Sequence, residues 1–182
     1  GFTDNPANRC YLCKRDLFGR IKKVAEDNHF EWIADGSNFD DLGDDRPGMQ
    51  ALRELGVISP LLEADLTKDD IRQLARRMQL KTWDKHANSC LATRFACGQE
   101  ISLPKLRQVE EAEAYLNDCG FRQIRVRSYD HAARIEVSPE ERAKFGDLQL
   151  MDAVHQKLKE LGFVHVSLDL QGYRQVKAEQ QP

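Results

Sequence analysis

The chemistry of this chain opens on two cysteines separated by two residues, Cys10 and Cys13 in Arg9-Cys10-Tyr11-Leu12-Cys13-Lys14. They stand where an amphipathic helix begins, so free backbone N–H groups and the positive end of the helix dipole favour thiolate there. Such a pair can ligate zinc, hold part of an iron–sulfur cluster, act as a redox dithiol, or serve structure alone. No second C-x-x-C follows. A four-thiolate site would need Cys90, Cys97 or Cys119, whereas three thiolates with an open corner would suit a cluster. Cys90 lies in Asn88-Ser89-Cys90-Leu91-Ala92-Thr93-Arg94, just ahead of an arginine able to favour a thiolate and bind an anion. That makes Cys90 the best nucleophile candidate; the bland alternative is a small buried hydrophobe. Cys119, which closes a helix beside Gly120, fits core packing better than chemistry.

Charged residues supply the second group. Asp40, Asp41, Asp44 and Asp45 follow a short apolar segment through the turn Gly36-Ser37-Asn38. Open α/β sheets bind ligands at the carboxyl ends of their strands, where clustered carboxylates can hold Mg2+ carrying a nucleotide phosphate. A solvated acidic turn is the alternative. Arg125 and Arg127 alternate with Ile124 and Val126, so both guanidinium groups fall on one face of a strand and, with Arg94, can grip a phosphate. Surface arginines on a half-exposed strand would look the same. Glu113 and Glu136 are placed to pair with these arginines or to orient a ligand. His29, His86, His131, His155 and His165 have no metal-ligand spacing and receive no role.

Apolar spacing assigns the elements that carry these residues. Leu17, Phe18, Ile21, Val24 and Ala25 predict a helix within residues 12–28, and residues 30–35 read as a short buried strand. Pro47 starts a helix through Met49, Leu52 and Leu55 to a Gly56 cap, after which residues 57–61 return as a strand or extended segment. Thr67-Lys68-Asp69-Asp70 resembles a capping box, with Asp in place of Glu, before a helix bearing Ile71, Leu74, Ala75 and Met78. This α/β alternation points to part of a parallel, doubly wound sheet. Between Lys81 and Ser102 the periodicity stops, and a polar loop holds Cys90 and Arg94. Pro104 then opens a helix ending at Cys119-Gly120, and residues 124–127 and 133–137 alternate as strands. Residues 148–161 form another helix and residues 163–170 another strand, so the order α-β-β-α-β makes a second, smaller α+β domain. The tail after Arg174 is polar and predicted to fray.

Composition bounds what these elements can do. The chain has 182 residues, 41% hydrophobic and 31% charged, which suits a globular fold and excludes a disulfide-dependent miniprotein. With 27 basic and 30 acidic residues the net charge is -3. No whole-molecule field would therefore hold nucleic acid or a membrane, and an anionic ligand needs a local site. Five cysteines, an odd number with no basic and apolar leader ahead of them, argue for thiol or metal chemistry rather than disulfides. No apolar run approaches the roughly 20 residues of a membrane span, and the chain reads as cytoplasmic.

Taken in order, these segments resemble the LarE family of sulfur transferases. The resemblance rests on Arg9 to Lys14, on Asp35-Gly36-Ser37-Asn38-Phe39-Asp40-Asp41-Leu42-Gly43-Asp44-Asp45-Arg46-Pro47-Gly48, and on Thr82-Trp83-Asp84-Lys85 with Ser89 to Arg94. It continues through Phe121 to Arg127, Ala133 to Val137, and Leu168-Asp169-Leu170-Gln171-Gly172-Tyr173-Arg174. The resemblance implies the C-terminal part of a PP-loop ATP pyrophosphatase domain, adenine nucleotide alpha hydrolase-like and Rossmann-like, over residues 1–100. A small α+β substrate-binding or oligomerisation domain would follow over residues 101–182. It implies ATP and Mg2+, a small-molecule nucleotide substrate, a homo-oligomer, and insertion of sulfur into an adenylylated pyridinium biscarboxylate mononucleotide. Cys10, Cys13 and Cys90 would hold a [4Fe-4S] cluster, or Cys90 would be sacrificed as the sulfur donor. Arg94, Glu113, Arg125, Arg127 and Glu136 would bind substrate, and Asp40 and Asp41 would lie near the nucleotide and Mg2+. The family's Ser-Gly-Gly-x-Asp-Ser phosphate loop, upstream of the C-x-x-C, is not in this sequence, so the expectation is of a C-terminal two thirds that does not bind ATP productively alone. His86, Ala96-Cys97 and Gln175-Val176-Lys177 depart from the family pattern, and Cys97 competes with Cys90 as third ligand. Competing readings are a tRNA-thiolation enzyme, disfavoured by the charge, and a non-catalytic module stapled by metal.

Overall fold

In the computed structural model, which describes residues 1–42, 47–85 and 89–173, the helix start read from Thr67 to Asp70 is a built cap. Thr67 Oγ1 accepts the Asp70 N–H at 3.2 Å while Asp70 Oδ2 accepts the Thr67 N–H at 3.1 Å. Two otherwise orphaned N–H groups are satisfied reciprocally, and aspartate serves as well as glutamate. Asp44 and Asp45 of the acidic loop, His86, and the tail from Arg174 lie outside the described residues.

The chain divides into two units, one of residues 1–2 and 6–87 and the other of residues 3–5 and 88–182. In the first, α1 (Arg9–Asp27) packs against α2 (Pro47–Glu54). Ala25, Met49, Ala51 and Leu52 are buried there. A one-turn helix α3 (Pro60–Glu63) and α4 (Lys68–Arg77) complete the unit. The expected strands over residues 30–35 and 57–61 meet in a single parallel bridge between Ala34 and Ile58, framed by Asp35 N–H to Ile58 O and Ile58 N–H to Ile33 O, each at 2.9 Å. That is the parallel pairing the alternation predicts, but among the described residues it does not grow into a sheet. The reading of residues 30–35 as buried needs correcting, because Phe30 and Trp32 are each 69% exposed. With one bridge at residue 34 and no ladder beyond it, the described residues offer these side chains no sheet face to pack against.

The second unit is the one the sequence outlined. α5 (Leu103–Asp118) leads into β1 (Ile124–Tyr129), which turns through Asp130 and His131 into antiparallel β2 (Ala132–Val137). α6 (Leu148–Glu160) then returns the chain to β3 (His165–Leu168), parallel to β2, giving the order β1-β2-β3. Both helices contact the sheet and each other. Val109, Ala112 and Leu116 of α5 and Val154 and Leu158 of α6 are buried with Val126, Ile135, Val137, Phe121 and Phe163. At about 1.5–3 kcal/mol for each large apolar side chain fully buried, this cluster is the main driving force of the unit. The loop carrying Cys90 and Arg94 belongs to this unit rather than the first, because Phe95 bridges Ser128 of β1. Asn5 secures the loop's far end, donating to Phe95 O at 3.3 Å and Ala96 O at 2.6 Å while itself buried.

Candidate functional site

The first unit builds a seat for the C-x-x-C. Cys10 and Cys13 lie in the opening turns of α1, at the i,i+3 spacing that shares one helix face, and both are exposed. Two contacts brace that turn. A Cβ added to Gly48 at the start of α2 would stand 3.0 Å from Lys14 Cδ and 3.6 Å from the Cys10 carbonyl oxygen, so glycine permits the close approach. Lys14 Nζ also lies 3.7 Å from Asp35 Oδ2. Asp35 accepts from Ser37 Oγ and Ser59 Oγ, each at 2.6 Å, and from the Ser37 N–H at 3.3 Å. Burial pushes its pKa up, but the hydrogen bonds from Ser37 and Ser59, with Lys14, outweigh that and the net shift is downward. The donor set of Cys10 and Cys13 fits two corners of a thiolate-held metal site. Among the described residues no three His, Cys, Asp or Glu side chains gather into a complete one.

Asp40 and Asp41 are bound into their own loop. Asn38 and Asp41 form a capping box around the 3-10 turn Phe39–Asp41, and Asp41 Oδ2 accepts from both the backbone N–H and the side-chain Nδ2 of Asn38. Asp40 Oδ2 accepts the Lys68 N–H at 2.8 Å at the start of α4, and Lys68 Nζ lies 3.8 Å from Asp41 Oδ1. These contacts give the pair a part in shaping the loop, with Asp41 buried and Asp40 exposed.

The second unit holds the arginines and Cys90 together. β1 is an edge strand, and its outward Val126 N–H donates to Glu113 Oε1 at 2.9 Å. The same carboxylate takes Arg94 side-on, Nε to Oε1 at 2.7 Å and Nη2 to Oε2 at 3.0 Å. Arg94 Nη1 donates to Ser89 Oγ at 2.6 Å and Thr93 Oγ1 at 3.0 Å, so a guanidinium only 4% exposed has its donors used within the protein. Cys90 caps the 3-10 turn Leu91–Arg94, and its carbonyl accepts both the Thr93 N–H at 2.9 Å and Thr93 Oγ1 at 2.7 Å. Its side chain is exposed, not packed in the core. Cys97 is exposed as well, while Cys119 is partly buried at the end of α5.

Arg125 and Arg127 sit on one strand at period two, as the alternation predicts, and the antiparallel register sets Arg125 opposite Glu136 and Arg127 opposite Arg134. Glu136 Oε1 accepts from Arg127 Nε and Arg134 Nη2, each at 2.9 Å, and Arg127 Nη1 reaches back to Thr93 O at 2.9 Å. The Cys90 turn is thereby tied to both Arg94 and Arg127. Arg125 differs: its hydrogen bond goes to the neutral Tyr173 hydroxyl at 2.8 Å, and its guanidinium lies 4.4 Å from that ring's centroid. Burial lowers its pKa, Arg94 and Arg127 push the same way, and Tyr173 and Glu136 oppose them.

Sequence reasoning gave no role to Arg134, Asp169 or Tyr173. Arg134 was findable, since it shares a strand face with Glu136 two residues on; it stacks over Tyr129 and lies 3.6 Å from Asp169. Asp169 and Tyr173 lie in the segment Leu168 to Arg174 that carries part of the family resemblance, but nothing local ties them to Arg134 or Arg125.

No protein-family model matches the chain. Curated relatives match nearly all of it. An uncharacterized protein of Synechocystis sp. is 44% identical over 97% of this chain and 66% of its own length. An uncharacterized protein of Methanocaldococcus jannaschii is 35% identical over 93% of this chain and 66% of its own length. This chain therefore spans just under two thirds of those relatives. By sequence it is also similar, at 38% identity over 94% of its residues and 61% of the other protein, to the pyridinium-3,5-bisthiocarboxylic acid mononucleotide synthase of Lactiplantibacillus plantarum.

Proposed function

We propose that this chain is the sulfur-delivering and substrate-holding part of a synthase that converts a carboxylate of a pyridinium biscarboxylate mononucleotide into a thiocarboxylate. The observation that carries this reading is the exposed Cys90 on a turn hydrogen-bonded to Arg94 and Arg127, in the same unit as Arg125, which among the described residues hydrogen-bonds a tyrosine rather than a carboxylate. An anionic mononucleotide needs a fixed cation, and sulfur transfer needs an accessible thiolate or sulfide; these residues supply both. The similarity to a synthase of the bisthiocarboxylic acid mononucleotide supports the same substrate class.

In this reading Arg125 holds the phosphate or the second carboxylate. Glu113 and Glu136 fix Arg94 and Arg127, which hold the Cys90 turn in place. ATP with Mg2+ would supply activation of the carboxylate, with Asp40 and Asp41 shaping the adjoining loop. A cluster on Cys10, Cys13 and Cys90 would supply a sulfide carried on iron. Without a cluster, the Cys90 thiolate attacks the activated carboxyl carbon and displaces its oxygen leaving group. Loss of the Cα proton with rupture of the Cβ–S bond then leaves the thiocarboxylate and dehydroalanine. We take the active protein to be a homo-oligomer that works on a small nucleotide. No helix among the described residues is long and apolar enough to cross a membrane.

The test is an anaerobic iron and acid-labile sulfide assay with the absorption spectrum, on wild type and on Cys90→Ala. About four irons per chain, lost in the variant, supports the three-thiolate cluster. An iron-free protein whose Cys90 becomes dehydroalanine after turnover supports the sacrificial route. A Cys90→Ala protein that still transfers sulfur refutes both.

A further inference from the structure

We propose that Tyr173 is a positioning residue for Arg125, and that the segment Asp169 to Tyr173 is a strap delivering its ring onto the anion site. The inference rests on the assignment of Arg125 as the group that meets the substrate's anion.

The first argument is one of charge. Arg94 is paired with Glu113, and Arg127 and Arg134 share Glu136. A carboxylate against Arg125 would orient it equally well but would neutralise the charge a ligand needs. Tyr173 orients without neutralising: its hydroxyl oxygen accepts from Nη2 at 2.8 Å and its ring lies against the guanidinium at 4.4 Å. One nitrogen is thereby held, and among the described residues the rest of the fork stays available to an anion.

The second argument is that the backbone behind Tyr173 is fixed. The Tyr173 N–H donates to Val137 O at 2.7 Å, at the end of β2. Asp169 Oδ1 accepts the N–H groups of Gln171 at 2.8 Å and Gly172 at 3.1 Å, closing an Asx turn. Asp169 N–H bonds Ile135 O at 2.8 Å, and Arg142 holds the Leu170 carbonyl. Gly172 has φ +77°, and a Cβ there would meet Val137 O at 2.6 Å, so the strap closes onto the strand only with glycine at that position. A tight turn pinned at several points and ending in an aromatic ring is what a positioning device requires, whereas a frayed terminus would leave the ring free.

The experiment uses the full chain, inorganic phosphate as probe, and side-chain 15Nε–1Hε NMR of arginine, with Tyr173→Phe and Tyr173→Leu. In wild type the Arg125 signal should be shifted by the ring current and should move further as phosphate is added. Tyr173→Phe should keep the ring shift and weaken phosphate binding about fivefold, as expected for the loss of one ordinary hydrogen bond. Tyr173→Leu should lose the ring shift and weaken binding tenfold or more, by about the further loss of the stacking. If phosphate moves Arg125 but binds both variants as it binds wild type, the strap is only packing and this proposal falls while the reading of Arg125 stands. If phosphate leaves Arg125 unmoved in wild type, the reading of the anion site falls and the proposal with it. Tyr173→Phe, which removes a single oxygen, decides the question should the leucine variant not fold.

Discussion

Glu113 does two jobs with one side chain, and its replacement should expose both. Its Oε1 serves Arg94 Nε and the Val126 N–H, and its Oε2 serves Arg94 Nη2, with the two side chains only 4% and 14% exposed. Glu113→Gln preserves shape, and its amide oxygen can keep the Oε1 bonds. It sets an NH2 donor against the Nη2 donor and leaves a buried guanidinium without its counter-charge. Breaking a buried pair from one side costs about 3–5 kcal/mol. The surviving bonds should reduce that to about 2–3 kcal/mol, while Glu113→Ala, which also orphans the Val126 amide, should cost about 4 kcal/mol. Urea unfolding followed by circular dichroism would read the global change. Native-state hydrogen exchange at the Val126 amide would read the local one, with protection falling by up to about a thousandfold in the alanine variant. Replacing both partners by apolar residues, Arg94→Met with Glu113→Leu, should recover the part of the loss that comes from the uncompensated charge, with the Val126 amide still orphaned. A Val126 protection factor and urea midpoint unchanged in Glu113→Ala would refute the claim that this carboxylate braces strand and arginine together.

Other expectations follow from the same contacts. The Asp35 pKa lies below its ordinary 3.8, so its contribution to stability is complete above that value and disappears as pH falls through the lower, folded-state value. Ser59→Ala should move the Asp35 carboxyl titration upward by NMR, and an unmoved titration would sink that assignment. Gly172→Ala should destabilise the second unit by about 1–3 kcal/mol in urea melts, because its φ is strained for alanine and its Cβ collides with Val137 O. Thr67→Ala removes one half of the capping box and should cost about 1 kcal/mol, measured as a lower urea midpoint.

How much of this was legible depended on range. The order α-β-β-α-β of the second unit was readable because each element carries its own period, and Val126 and Arg125 fall on opposite faces by simple alternation. The Thr67 cap was readable because both partners lie within four residues. Residues 30–35 misled because Phe30-Glu31-Trp32-Ile33 has the composition of a buried strand, while burial depends on neighbours that the segment does not name. The alternation also said that Arg125 and Arg127 share a face, but not that one would meet a carboxylate and the other a tyrosine. That difference is made by Tyr173, 48 residues away along the chain. Asp40 and Asp41 show the opposite limit: the acidic run was plain, yet which oxygens are spent on Asn38 and Lys68 is decided only by the folded loop.

The outward edge of β1 carries one further consequence. An exposed strand edge is a template on which another chain can add a strand, and proteins that leave one open risk self-association. Here the Val126 amide is already taken by Glu113 and the position of Ser128 is already bridged by Phe95, so the edge is closed by the same carboxylate and the same loop that hold Arg94 and Cys90. Solubility and the candidate site therefore draw on shared atoms. A variant that loosened this loop to admit a different substrate would also unmask the sheet, and aggregation would accompany the change in specificity.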